Sequence, residues 1–192
     1  MPRPLDPANK RQQIIDTAYE LFSRSGYHAT GTDRIIAEAN VAKMTMYRNF
    51  STKDALIVEV LNYRAAHFDA RLDRLAEGAS TPREKIDTIF DWYERWFMSI
   101  DFHGCLFAHA LAEFGEPGHP VFDAVAEHKN SLKDRLLRIL GPAMNEDQAI
   151  SASDAIFMLL EGATLMAQMG QGPKAIRHAR QAASSILGIA DG

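Results

Sequence analysis

Asn40-Val41-Ala42-Lys43-Met44-Thr45-Met46-Tyr47-Arg48-Asn49-Phe50 is the stretch on which the reading of this chain turns. Asn40 is one of the few non-glycine residues that tolerate the left-handed backbone a tight turn between two helices often needs. After it, Val41, Met46 and Phe50 are spaced to face inward, while Lys43, Thr45, Tyr47, Arg48 and Asn49 can face outward. The helix this pattern predicts is only about two turns long. It buries little surface by itself, so its purpose lies in its exposed face.

Working outward, the segments on both sides read at helical period. Ile14, Ala18, Leu21 and Phe22 form a stripe at i, i+4, i+7 and i+8 that predicts a helix over 8–25, with Gly26 as its stop. Thr32 is expected to cap a short helix over 33–39, with Asp33 in its positive first turn. Ser51 or Thr52 is expected to cap a long helix reaching 76, whose stripe includes Leu56, Val60 and Tyr63. Further helices are expected over 105–114, from His119-Pro120 to Ile139, over 146–169 and over 173–187. Another carries Ile86, Ile89, Phe90, Tyr93 and Phe97, with Trp92 and Trp96 as a second aromatic row. No segment shows strand alternation, so the fold class is all-α.

Composition narrows the class of function. The chain has 192 residues, 46% of them hydrophobic and 24% charged, which suits a globular protein with a real core. No apolar run approaches the ~18–20 residues of a membrane span, and Met1-Pro2-Arg3-Pro4-Leu5-Asp6 lacks a leader's apolar stretch, so a cytoplasmic location without a membrane partner is expected. The single cysteine, Cys105, excludes an internal disulfide and any multi-cysteine metal site. The net charge of −4 is unevenly spread. Residues 1–53 hold eight Lys/Arg against five Asp/Glu, and the remainder thirteen against twenty. A basic first quarter ahead of an acidic remainder points to a polyanion met by the N-terminal part alone.

Two helices joined by a short turn, the second presenting Lys, Thr, Tyr, Arg and Asn, suit the major groove of double-stranded DNA, where side chains near the helix N-terminus reach base edges. Lys43 can donate to guanine, Met44 can contact a thymine methyl, and Thr45 and Asn49 can bond bases or phosphate. Tyr47 and Arg48 suit phosphate oxygens. Lys53 opens the next helix, whose first N–H groups can grip a phosphate with it.

The run from Ile35 to Lys53, followed by Asp54-Ala55-Leu56, resembles the TetR family signature G-V-S-K-G-T-L-Y-x-H-F-x-S-K-E-x-L, and the resemblance covers about residues 10–57. It implies that Lys43, Met44, Thr45, Tyr47, Asn49 and Lys53, with Thr32, fall at positions that commonly touch DNA. It also implies a regulator with an N-terminal DNA-binding domain, here 1–53, and a C-terminal ligand-binding and dimerisation domain, here 54–192. Repression is the commoner outcome in that family. The sequence departs from the signature at Asn40, where glycine is usual, at Ala42, where serine is usual, and at Met44, where glycine is usual; Ile36 stands where a small alanine is common.

The C-terminal part has no nucleophile elbow, phosphate-binding glycine loop, His-Glu-x-x-His or dinucleotide fingerprint. No catalytic residue, cofactor or metal is expected. Candidate effector-binding residues are the apolar Trp92, Trp96, Phe97, Phe102, Phe107 and Phe157 with the polar His103, His109, Glu113 and Glu161. Aromatic stripes at helical spacing also serve as plain core. The last two helices carry more apolar surface than one side can bury, alongside small residues, and predict a two-fold homodimer interface through Phe157, Leu160, Met166, Ala179, Ala183 and Ile186. Such a dimer would read a pseudo-palindrome with half-sites ~34–36 Å apart, and a small hydrophobic effector shifting the long fourth helix would release it at a coupling of ~1–3 kcal/mol. The alternatives are an all-helical enzyme or carrier of a hydrophobic small molecule, which would ignore DNA, and a DNA-binding protein with no ligand, which would have a filled core and no inducible release.

Overall fold

The computed structural model describes residues 7–189, and among them every regular element is helical. The stretch Met1–Asp6, read above for a leader, lies outside them. In chain order the helices are α1 (Pro7–Ser25), α2 (Thr32–Glu38), α3 (Lys43–Asn49), α4 (Lys53–Ala76), α5 (Pro82–Phe97), α6 (Leu106–Glu113), α7 (Pro120–Leu140), α8 (Glu146–Met166) and α9 (Gly172–Ile189). Two compact units share this chain. Among the described residues, one comprises residues 7–65 and 106–126, the other residues 66–105 and 127–189. α4 and α7 therefore each supply residues to both.

In the first unit, α1 turns Ile14, Ile15, Ala18, Leu21 and Phe22 inward, all buried. It packs on α2 and α3, which contribute Ile35 and Met46, and Phe50 and the first half of α4 (Leu56, Ile57, Val60, Leu61) are buried as well. α1 ends at Gly26, which adopts φ +79°. Asn40 adopts φ +48° and is the non-glycine residue with a positive φ among those described. It lets the chain turn within the four residues between α2 and α3, with Val41 N–H donating to the Ile36 carbonyl at 3.2 Å. Thr32 does not cap α2. Gly31 occupies that position without a side-chain bond, so the first turn of α2 relies on backbone alone. Thr52 does cap α4: its hydroxyl accepts from Ala55 N–H at 3.0 Å.

The second unit is built on α8 and α9, which pack along each other, with α5 against α9. Its core joins Ile86, Ile89, Phe90, Tyr93 and Phe97 of α5 to Leu132, Leu136, Ile156, Leu160, Ile176 and Leu187. Both α5 and α8 start on reciprocal capping boxes, Thr81 with Glu84 and Asn145 with Gln148. α8 ends sooner than its apolar pattern suggests. The helix widens over Ala167–Gln171 and is broken at Gly170, φ +81°, before α9 begins. The continuous stretch Glu146–Gly188 contains a window of mean hydropathy 1.4, long and apolar enough by composition to cross a membrane. This corrects the expectation that no run approaches such a length. In the fold, the two arms bend at Gly170 and pack on each other.

The left-handed Asn40 yields a test. A β-branched residue there meets the steric penalty of the left-handed region, so Asn40→Val should cost about 1–2 kcal/mol, whereas Asn40→Gly, freed of a Cβ, should stay within about 1 kcal/mol of the parent. Urea unfolding of the three proteins measures both differences.

Candidate nucleic-acid interface

Seven residues of α3 form the second arm of a helix-turn-helix. Ala42 stands at its N-cap and offers no side-chain bond, as its departure from serine requires. Met46 faces the core while Lys43, Met44, Tyr47 and Arg48 lie exposed on the other side; Thr45 and Asn49 are half-buried at the edges. Lys43 pairs across the turn with Asp33 at 3.4 Å, a surface contact that competing phosphate can displace. The Asn49 amide donates to the Thr45 carbonyl at 2.7 Å, so its nitrogen is already committed within the helix. Thr32 and Lys53 open α2 and α4 and are half-buried. The structure thus places the eight sequence-derived residues within three consecutive elements of one compact unit. Sequence reading missed Arg11, which pairs with Glu59 at 2.8 Å and lies over the Phe50 ring at 5.2 Å. It ties α1 to α4 next to the end of α3.

Glu113, read as a polar group for an effector, has its carboxylate engaged within the chain. Its carboxylate accepts from the backbone N–H of Tyr27 at 2.8 Å and of His28 at 2.6 Å. The fully buried Tyr27 donates its phenolic O–H to the Leu106 carbonyl at 2.9 Å. One residue thereby meets both ends of α6. Phe114 stacks on His119, and His119 reaches Asp54, the second residue of α4, at 3.6 Å. Phe107 and His109 belong to this same unit on α6, Phe107 buried and His109 half-buried.

Residues 14–60 match the family described as bacterial regulatory proteins, tetR family, and residues 82–183 match the tetracyclin repressor-like C-terminal domain. The chain belongs to the TetR family of transcriptional regulators. Among curated relatives, the HTH-type transcriptional regulator QacR of Staphylococcus aureus is 26% identical over 129 residues, 67% of this chain and 65% of that protein. The HTH-type transcriptional repressor KstR of Mycobacterium tuberculosis is 32% identical over 78 residues, 41% of this chain and 36% of that one. The matched part of this TetR-family chain thus spans less than two thirds of each of these two. A solved TetR-family transcriptional regulator from Streptomyces coelicolor superposes with a TM-score of 0.91 at 26% identity, covering 96% of this chain and 97% of its own.

The remaining effector candidates of this TetR-family chain fall in the second unit. Trp92 stacks on Trp96 at 5.3 Å, and Trp96 meets Phe102 edge-on at 5.0 Å. Phe97 is buried, Phe157 packs against the core and His103 is exposed. Glu161 is bound by Lys129, whose Nζ lies 2.6 and 2.7 Å from the two carboxylate oxygens and 3.7 Å from Cys105 Sγ. Burial, with the nearby Glu161 and Cys105, pushes the Tyr93 phenol well above its usual range. Burial, and secondarily the Lys129 charge, pushes His128 down to about 4. Sequence reading missed Tyr93, His128 and Lys129 as polar groups of this region. The available signal was Lys129 beside the inward stripe of Val125, Leu132 and Leu136 on α7.

The predicted dimer residues separate by face. Leu160 and Ala183, read as dimer-interface residues, are buried within their own chain. Phe157 and Ile186 are half-buried against the same core. Met166 is exposed, in company with Met158, Leu165 and Met169. Ala179 lies at the floor of an open groove of about 580 Å³ between α8 and α9, walled by Met158, Gly162, Met166, Lys174 and His178.

His128 gives this unit a pH dependence of definite sign. Its folded pKa of about 4 lies below the 6.5 of an unburied imidazole, so the unfolded chain takes up the proton first as pH falls. The associated stability is complete above about pH 6.5 and is lost as pH drops toward 4, by up to about 3 kcal/mol. His128→Leu should remove that part of the slope, as urea midpoints of both proteins at about pH 7.5 and 4.5 would show; equal slopes would contradict it.

Proposed function

We infer that this chain is a DNA-binding transcriptional regulator that grips a pseudo-palindromic operator as a homodimer and lets go when a small hydrophobic effector binds. The observation that carries the reading is the α2–turn–α3 arrangement, with Lys43, Met44, Tyr47 and Arg48 exposed on one face and Lys53 opening the adjoining helix. A helix presented this way suits the major groove, and the basic excess of residues 1–53 favours a polyanion. Repression accords with the names of relatives such as the transcriptional repressor KstR. The regulator acts in the cytoplasm and catalyses no reaction of its own.

The exposed strip of Met158, Leu165, Met166 and Met169 supports a second copy as the partner of α8 and α9, because contiguous apolar surface of this kind is covered in a stable soluble state. The aromatic cluster around Trp92, Trp96 and Phe102, with the Lys129–Glu161 pair, is the chemistry suited to an effector with an apolar body and a few polar atoms. Chain continuity supplies a route between the functions, since α4 starts at Lys53 and contributes Phe68 and Leu72 to the second unit's core.

The test is selection of bound fragments from random DNA by the full chain, followed by affinity measurements. A dimer neutralising about six phosphates should lose on the order of 10³ in affinity between 50 and 200 mM salt. The Tyr47→Ala/Lys53→Ala protein should bind at least about tenfold more weakly while remaining a folded dimer. Retained affinity in that variant, or enrichment of no sequence, would refute the reading.

A further inference from the structure

We propose that Met44 reads the 5-methyl group of a thymine in each operator half-site, making it a specificity-determining residue that the family signature, with glycine at this place, does not supply. The inference rests on the operator-binding reading above and deepens it. Met44 is 81% exposed, while Tyr47 and Leu111 follow at 42% among the large apolar side chains of the described first unit. It is the second residue of α3, at the end from which recognition helices reach base edges. Two polar neighbours, Lys43 on the same face and Asn49 at its edge, have ties within the chain: Lys43 to Asp33 at 3.4 Å, and the Asn49 amide to the Thr45 carbonyl at 2.7 Å. Met44 extends into solvent instead.

The edges of the base pairs in the major groove carry hydrogen-bond donors and acceptors, and their one apolar group is the thymine methyl. A thioether chain entering the groove gains nothing by hydrogen bonding to guanine, adenine or cytosine edges, and it desolvates them. Only over thymine does it bury apolar surface against apolar surface. Its flexible, unbranched chain can reach the methyl without requiring one exact helix placement.

The experiment uses the full chain and the operator it selects from random DNA. Each thymine is replaced in turn, symmetrically in both half-sites, by deoxyuridine, which removes the methyl and leaves the pairing edge intact. Removing one buried methyl should weaken the parent about fourfold per half-site, hence about fifteenfold over the two. The expectation is one position at which the parent loses about that much and Met44→Ala less than about twofold. Because Met44 is exposed, the variant should unfold at the parent's temperature, which a melting curve checks. If no deoxyuridine position weakens the parent, or if Met44→Ala suffers the same loss, the proposal is overturned while the operator reading stands. If no sequence is enriched at all, the operator reading has failed and takes this proposal with it.

Discussion

Where α1 ends, two consecutive backbone N–H groups, those of Tyr27 and His28, converge on one carboxylate, that of Glu113, 86 and 85 residues further along the chain. Hydrogen bonds to an ionised acceptor contribute about 1.5–3 kcal/mol each, more than an ordinary backbone bond. Gly26 makes the grip possible twice over. Its φ of +79° turns the chain out of α1, and a Cβ at that place would lie 2.9 Å from the Glu113 carboxylate. With Tyr27 also bonded to the Leu106 carbonyl, α6 is fixed at both ends to the loop that leads into α2. The unit that carries the helix-turn-helix is therefore completed by residues far from it in sequence.

This has a consequence for function. α3 is too short to hold its own position and takes its placement from α1, α2 and the start of α4. Those elements are in turn steadied by α6 and the start of α7, through Glu113 at one point and through the His119–Asp54 contact at another. A displacement of α6 would reach the α1–α2 loop directly. For the effector-driven release proposed above, a coupling of ~1–3 kcal/mol is of the same order as one such bond.

The parts of this account that are local were legible in the sequence. Asn40 declared its left-handed turn, Val41, Met46 and Phe50 declared an inward face, and the basic excess of residues 1–53 declared a polyanion partner. Local chemistry misled at Thr32, where Gly31 takes the cap. The C-terminal helices were legible as helices and illegible as faces. α8 is apolar nearly all round, so periodicity could not say that Ile156, Leu160 and Ala163 turn inward while Met158, Leu165 and Met166 turn outward. Glu113 was the hardest case. A glutamate at the end of an apolar helix suits an effector pocket as well as a backbone clamp, and the amides it clamps lie more than eighty residues away.

Hydrogen exchange at the Tyr27 and His28 amides of the full chain tests the clamp most directly. Replacement of Glu113 by alanine should speed exchange at those two amides by about ten- to a hundredfold, while amides in the middle of α1, such as Ala18, keep their protection. Unchanged exchange at Tyr27 and His28 in a folded variant would contradict the claim that Glu113 holds this unit together.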